Sequence, residues 1–183
     1  MWSATPTTWP PAKPTCGVFS RSLDSFVGVK IHTGYPRREI TSPQMRDLFA
    51  LMNNFDAVVL IHSWGPDVLD LARLVDTNPR LRVIAAHMGA DRWDLAAQAA
   101  RDRDRLYLEP SGSVTDAGQV AYVAARVRPE QLLFGTDATL IDPAVSFGLV
   151  QDAGLTPAVA EAMYWRNAAE LFGLGGAVQA VSS

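Results

Sequence analysis

Three histidines close apolar runs in this 183-residue chain: Val29-Lys30-Ile31-His32, Val58-Val59-Leu60-Ile61-His62 and Val83-Ile84-Ala85-Ala86-His87. A fourth run, Leu132-Leu133-Phe134-Gly135-Thr136-Asp137, closes on an aspartate. Imidazole and carboxylate are donors suited to a divalent metal such as zinc, so the shared position of His32, His62, His87 and Asp137 points to a metal-dependent enzyme. Any one histidine ending a strand reads more simply as a hydrogen-bonded structural residue. Recurrence in several units is what favours a common site.

The elements that must carry these residues repeat as strand and helix. Strands are expected near 26–32, 57–62, 81–87, 105–109 and 131–136, because short β-branched and apolar runs bounded by helical patterns read as buried parallel strands. Between them, 44–53, 66–75, 92–103 and 115–127 show apolar residues at helical spacing, several opened by Ser, Asp or Thr with Pro or acidic residues following. A helix through 146–151 and another opening at Thr156-Pro157 follow the last strand. The alanine-rich end near Asn167–Leu171 is expected to pack on the outside of the sheet, stopped by Gly173, Gly175 and Gly176. His32, His62, His87, Ser111 and Asp137 are separated by 30, 25, 24 and 26 residues, close to the roughly 30 residues per unit of a (β/α) barrel. The fold class is therefore α/β, a partial TIM-type barrel of about five parallel strand–helix units.

Alternation along strands sorts the faces. Lys30 goes inward with His32, Val58 and Leu60 with His62, Val83 and Ala85 with His87, and Leu133 and Gly135 with Asp137, leaving Val29, Ile31, Val59, Ile61 and Ile84 toward the helices. Lys30 and Glu109 also suit salt-bridge partners, and Ser111 and Ser113 suit the start of the next helix. Arg37 and Arg38 in the loop after His32 match a substrate carboxylate in a bidentate way, or are solvated loop charges. Trp64 forms an apolar wall of the pocket or packs on a neighbouring loop.

Composition narrows the partners. With 48% hydrophobic and 19% charged residues the chain is of ordinary globular character, and a net charge of −3 gives no electrostatic reason to bind nucleic acid or an anionic membrane. A small-molecule substrate is expected. The single cysteine, Cys16, excludes an intrachain disulfide framework and fits a reducing cytoplasm. Residues 1–25 carry Pro6, Pro10, Pro11 and Pro14 and read as an irregular arm without a signal-peptide pattern, 26–176 as the barrel-like domain and 177–183 as a flexible tail.

Gly28-Val29-Lys30-Ile31-His32, Ile61-His62-Ser63, His87-Met88-Gly89, Phe134-Gly135-Thr136-Asp137 and Asn167-Ala168-Ala169-Glu170-Leu171-Phe172-Gly173 together resemble the C-terminal part of the amidohydrolase superfamily, in the family 2 branch of metal-dependent hydrolases and decarboxylases. The resemblance implies that the first strand here corresponds to the fourth of a barrel. It further implies His62 as a metal ligand, His87 as a metal or substrate histidine that stabilises an oxyanion or shuttles a proton, and Asp137 as both metal ligand and general base. The implied cofactor is zinc, with manganese as the alternative, and the implied reaction is attack of metal-activated water on a C–N or C–O bond. Non-oxidative decarboxylation of a small aromatic acid is the neighbouring reading, and an inactive barrel remnant acting by binding is the reading from another class. The family's first-strand His-x-His pair occurs nowhere in the sequence, and the Pro-rich start does not resemble a barrel strand. A truncated product is therefore expected, with self-association or a missing N-terminal half to cover an open sheet.

Overall fold

The computed structural model describes residues 27–35 and 39–174. The Pro-rich arm, Arg37 and Arg38, and the tail lie outside the described residues. Strands β1 (Val29–Ile31), β2 (Val58–His62), β3 (Arg82–Ala86) and β4 (Leu106–Glu109) pair in parallel in the order β1-β2-β3-β4, and the sheet does not close. Helices α1 (Pro43–Asn53), α2 (Val68–Thr77), α3 (Trp93–Ala100) and α4 (Gln119–Ala124) follow the strands in turn. Then come α5 (Pro143–Asp152), α6 (Pro157–Glu161), a π turn over Ala162–Arg166 and α7 (Asn167–Leu171).

The helices start where their sequences say they should. Pro143 follows Asp142, whose carboxylate accepts the Ala144 N–H at 2.9 Å, and Pro157 follows Thr156, whose hydroxyl accepts the Val159 N–H at 3.4 Å. In α2, Val68, Leu71, Ala72, Leu74 and Val75 are buried, a spacing that gives one apolar stripe. That stripe meets Val59, Ile61, Val83, Ala85, Leu106 and Leu108 in the main core. Each large side chain buried there contributes roughly 1.5–3 kcal/mol. None of the helices among the described residues is long and apolar enough to cross a membrane.

Three expectations need correction. The fifth run forms one bridge, Leu108 to Leu132, with the Leu133 N–H bonded to the Leu108 carbonyl at 2.9 Å, and no strand. The next donor in that ladder would be residue 110, a proline without an N–H, so pairing stops.

The parity of β3 is also reversed. Its register pairs Val58 with Arg82, Leu60 with Ile84 and His62 with Ala86, so Ile84 and Ala86 share the inner face with His62 while Val83 and Ala85 meet the helices. His87 lies beyond the strand, where alternation no longer applies.

The last described helix, α7, finally, packs inside. Leu171 joins Val58, Ile84 and Leu133 in a second cluster on the inner face, with Leu60, Tyr107 and Phe172 against it. Arg82, at the foot of β3 on that face, donates to the Leu171 carbonyl at 2.9 Å and to the Asp56 carbonyl at 2.6 Å, tying α7 to the sheet. Buried Asn167 donates to the carbonyls of Pro129 at 2.7 Å and Leu132 at 2.8 Å. The N-terminal half of the inner face is thus plugged, and only its C-terminal half is left to form a site. Gly173, at φ 69°, stops α7 as expected.

Candidate active site

The C-terminal ends of the strands bring the three histidines together. The rings of His32 and His62 stack with centroids 4.0 Å apart and planes 14° apart, and His87 meets His62 edge-on at 4.9 Å. Tyr35 covers the other face of His32 at 4.0 Å, and Trp64 lies nearly parallel to His62 at 5.9 Å, half exposed. Trp64 therefore stands at the wall of the site. Asp137 faces the same cluster closely enough to act electrostatically on Lys30, His32 and His62. Three candidate site residues, His32, Trp64 and Asp137, thus surround the His62–His87 pair, while Arg37 and Arg38 lie outside the described residues.

His87 reaches this position by a turn rather than by strand alternation. His87, Met88, Gly89 and Ala90 have φ of 67°, 45°, 73° and 53°, a left-handed stretch that non-glycine residues adopt only when their surroundings hold them. Ser63 supplies that hold. Its hydroxyl donates to the Ala86 carbonyl at 2.6 Å and accepts the Gly89 N–H at 3.0 Å, pinning the turn to the end of β2. Both partners belong to the motifs Ile61-His62-Ser63 and His87-Met88-Gly89.

His87 Nδ1 lies 2.6 Å from the Ser111 carbonyl oxygen. A carbonyl only accepts, so Nδ1 carries a hydrogen, and the neutral form of this ring has its lone pair on Nε2. Ser111 does not start a helix, since α4 begins at Gln119. Its N–H donates to Glu109 Oε1 at 2.6 Å and its hydroxyl to Glu109 Oε2 at 2.8 Å. Glu109 is buried, and a Cβ at Gly135 would lie 2.6 Å from its Cδ, so the glycine is what makes room for the carboxylate.

The electrostatics follow from crowding of basic groups under partial burial. Burial first, then the neighbouring His32, His87 and Lys30, lower His62 to about 4 against the opposing pull of Asp137, so its imidazole is neutral at pH 7. Burial also lowers His32, with Lys30 and His87 adding and Asp137 opposing, and it lowers Lys30 against the attraction of Glu109 and Asp137. Glu109 is raised by burial, against its Ser111 hydrogen bonds and the nearby His87 and Lys30.

Neutral imidazoles are the right chemistry for a divalent metal, and buried His32 Nδ1 lacks a hydrogen-bond partner. His32 and His62 cannot both point at one ion. A metal sits in the ring plane about 2.1 Å from the nitrogen, and two rings stacked 4.0 Å apart send their lone pairs out side by side rather than toward one point. Among the described residues no three of His, Cys, Asp and Glu are grouped so as to hold an ion. The expected metal set of His62, His87 and Asp137 is brought into one neighbourhood without being arranged as a coordination shell.

Comparison with known proteins gives the wider frame. The chain is similar to 2,6-dihydroxybenzoate decarboxylase from Rhizobium, with TM-score 0.66 and 16% identity over 87% of this chain and 67% of that one. It is similar to dihydroxybenzoic acid decarboxylase from Polaromonas sp. JS666, solved with bound manganese and the inhibitor 2-nitroresorcinol, with TM-score 0.65 and 16% identity over 87% of this chain and 65% of that one. An uncharacterised TIM-barrel protein from Bordetella bronchiseptica gives TM-score 0.68 and 18% identity over 88% of this chain and 62% of that one. The chain thus spans about two thirds of the length of these structures, and at such identity the likeness establishes the α/β-barrel type of fold. None of the functionally curated proteins matches the sequence. The amidohydrolase family model matches residues 21–174, most of the length of the chain, and the chain belongs to the amidohydrolase family.

Proposed function

We propose that this chain belongs to an amidohydrolase-type enzyme that cleaves a C–N or C–O bond of a small molecule. The observation that carries this reading is the convergence of His62, His87 and Asp137 at the C-terminal edge of one parallel sheet, where α/β barrels keep their chemistry. Asp137 takes a proton from the attacking water and returns it to the leaving nitrogen or oxygen. His87, with its lone pair at Nε2, takes a proton from solvent, donates a hydrogen bond to the oxyanion as imidazolium, and returns that proton to solvent when the product leaves. Trp64 and Tyr35 supply flat walls for the substrate. A zinc or manganese ion is the family's expected partner, supported by the manganese of the Polaromonas structure. Binding one here requires His62, His87 and Asp137 to rearrange, since no three such groups are arranged to hold an ion among the described residues.

Decarboxylation of a small aromatic acid is the second reading, favoured by Lys30, which lies on the inner face beside Glu109 and Asp137 and is suited to hold a carboxylate until CO2 leaves and Asp137 passes a proton taken from solvent to the carbon. The decarboxylase neighbours support it in kind. Self-association through the β1 edge, which no strand covers among the described residues, is proposed alongside.

The test is turnover of esters, lactones, amides and aromatic acids by the full chain, with and without added zinc or manganese. Product from one class, lost by roughly 10²–10⁴-fold in Asp137→Asn, supports the reading. Binding without turnover across the whole panel would make the chain a ligand-binding remnant.

A further inference from the structure

Glu109 is a buried carboxylate to which the proposed chemistry assigns no task. Both of its oxygens are used on a single residue, the Ser111 N–H at 2.6 Å and the Ser111 hydroxyl at 2.8 Å. The third polar group of Ser111, its carbonyl, is what receives His87 Nδ1 at 2.6 Å. The chain of contacts runs from carboxylate to backbone to imidazole without a gap.

Two glycines keep this chain tight. A Cβ at Gly135 would strike the Glu109 side chain, 2.6 Å from Cδ and 2.9 Å from Cγ. One at Gly112, whose φ is 138°, would come within 3.0 Å of His87 Nδ1. The backbone therefore closes on both ends of the relay.

We infer that Glu109 is a positioning residue that fixes the tautomer and ring orientation of His87 through the Ser111 loop. By clamping the Ser111 N–H and hydroxyl, Glu109 aims the Ser111 carbonyl at His87 Nδ1. That places the hydrogen on Nδ1 and the lone pair on Nε2, directed away from the loop. Without the clamp, the loop after Pro110 is free to turn its carbonyl aside, and the ring returns to the mixture in which the Nε2–H form of a free imidazole prevails. The inference deepens the proposed function, because a fixed Nε2 lone pair is what lets His87 accept a proton there. Its test needs no turnover, so it stands or falls separately from the choice of reaction.

The experiment is long-range 1H–15N NMR of the uniformly 15N-labelled full chain at about pH 9, where ordinary imidazoles are neutral. With three histidines, the His87 ring is assigned by comparison with His87→Gln. The wild type is expected to give a protonated, pyrrole-type Nδ1 and an unprotonated, pyridine-type Nε2. Glu109→Ala is expected to move both signals toward the averaged values of a mixed tautomer, and Glu109→Gln, which keeps an acceptor for the Ser111 N–H, to restore them. Ser111→Ala, which removes one of the two tethers and little volume, gives an intermediate shift and serves if Glu109→Ala does not fold. An unchanged Nδ1–H signature in Glu109→Ala or, in its place, in Ser111→Ala would overturn the proposal, as would a wild-type His87 protonated at Nε2.

Discussion

Gly135→Ala isolates the packing on which the carboxylate clamp depends. Gly135 does not use a left-handed φ, so alanine meets no backbone penalty, and the new methyl stands 2.6 Å from Glu109 Cδ, closer than real Cβ contacts come. If Glu109 stays, the overlap costs about 1–3 kcal/mol. If it swings aside, it gives up two hydrogen bonds to Ser111, each worth about 1.5–3 kcal/mol where a charged group is involved. The reduced freedom of the unfolded chain returns about 0.4–1 kcal/mol. A net loss of about 1–3 kcal/mol is expected, read as a urea midpoint lower by about 0.5–1.5 M at an m-value near 2 kcal/mol/M. The double variant with Glu109→Ala gives the sharper reading. With the carboxylate gone, the alanine methyl has room, so the cost of Gly135→Ala should largely vanish and leave a coupling energy of about 1–3 kcal/mol. A Gly135→Ala protein as stable as wild type, or one equally destabilised in both backgrounds, would refute the steric argument.

Acid should weaken the fold through His62. Its folded value of about 4 lies below the ordinary 6.5, so the unfolded chain binds more protons between these limits, and stability present above pH 6.5 is lost as pH falls toward 4. Screening at this partly exposed ring holds the effect to about 1–2 kcal/mol, and urea melts of His62→Phe should show a shallower pH slope than wild type. Arg82→Met should cost about 1–3 kcal/mol in the same melts by releasing the carbonyls of Leu171 and Asp56. Metal analysis after dialysis should find zinc and manganese well below one per chain, because among the described residues no three of His, Cys, Asp and Glu are grouped to hold an ion. A stoichiometric metal that disappears in His62→Ala would show that His62, His87 and Asp137 rearrange readily into a shell. Light scattering over a dilution series should show association through the free β1 edge, and a monodisperse monomer would remove that proposal.

The order of strands and helices was legible because each unit carries its own period and its own cap, as at Asp142-Pro143 and Thr156-Pro157. The faces of β1 and β2 were legible for the same reason. β3 was misread because His87 was counted as its last residue, whereas four consecutive positive φ values after Ala86 end the alternation and swing the imidazole back to the site. The amphipathic end of the chain shows that one face is buried but not which side of the sheet receives it, and only Arg82 and the Leu171–Phe172 contacts reveal the plug. The fifth strand failed at Pro110, a visible signal whose effect depends on the register with Leu133, which no local pattern carries. Glu109 was read as a salt-bridge partner, yet both its oxygens go to a residue two positions along.

The measurement that bears most directly on the shared site is an NMR pH titration of the three imidazoles in wild type and in Asp137→Asn. Because Asp137 holds the His62 value up against burial and its basic neighbours, His62 should titrate near 4 in wild type and lower still once the carboxylate is neutralised, with His32 moving in the same direction. A His62 that titrates near 6.5 and ignores Asp137→Asn would mean that histidines and aspartate do not share one site.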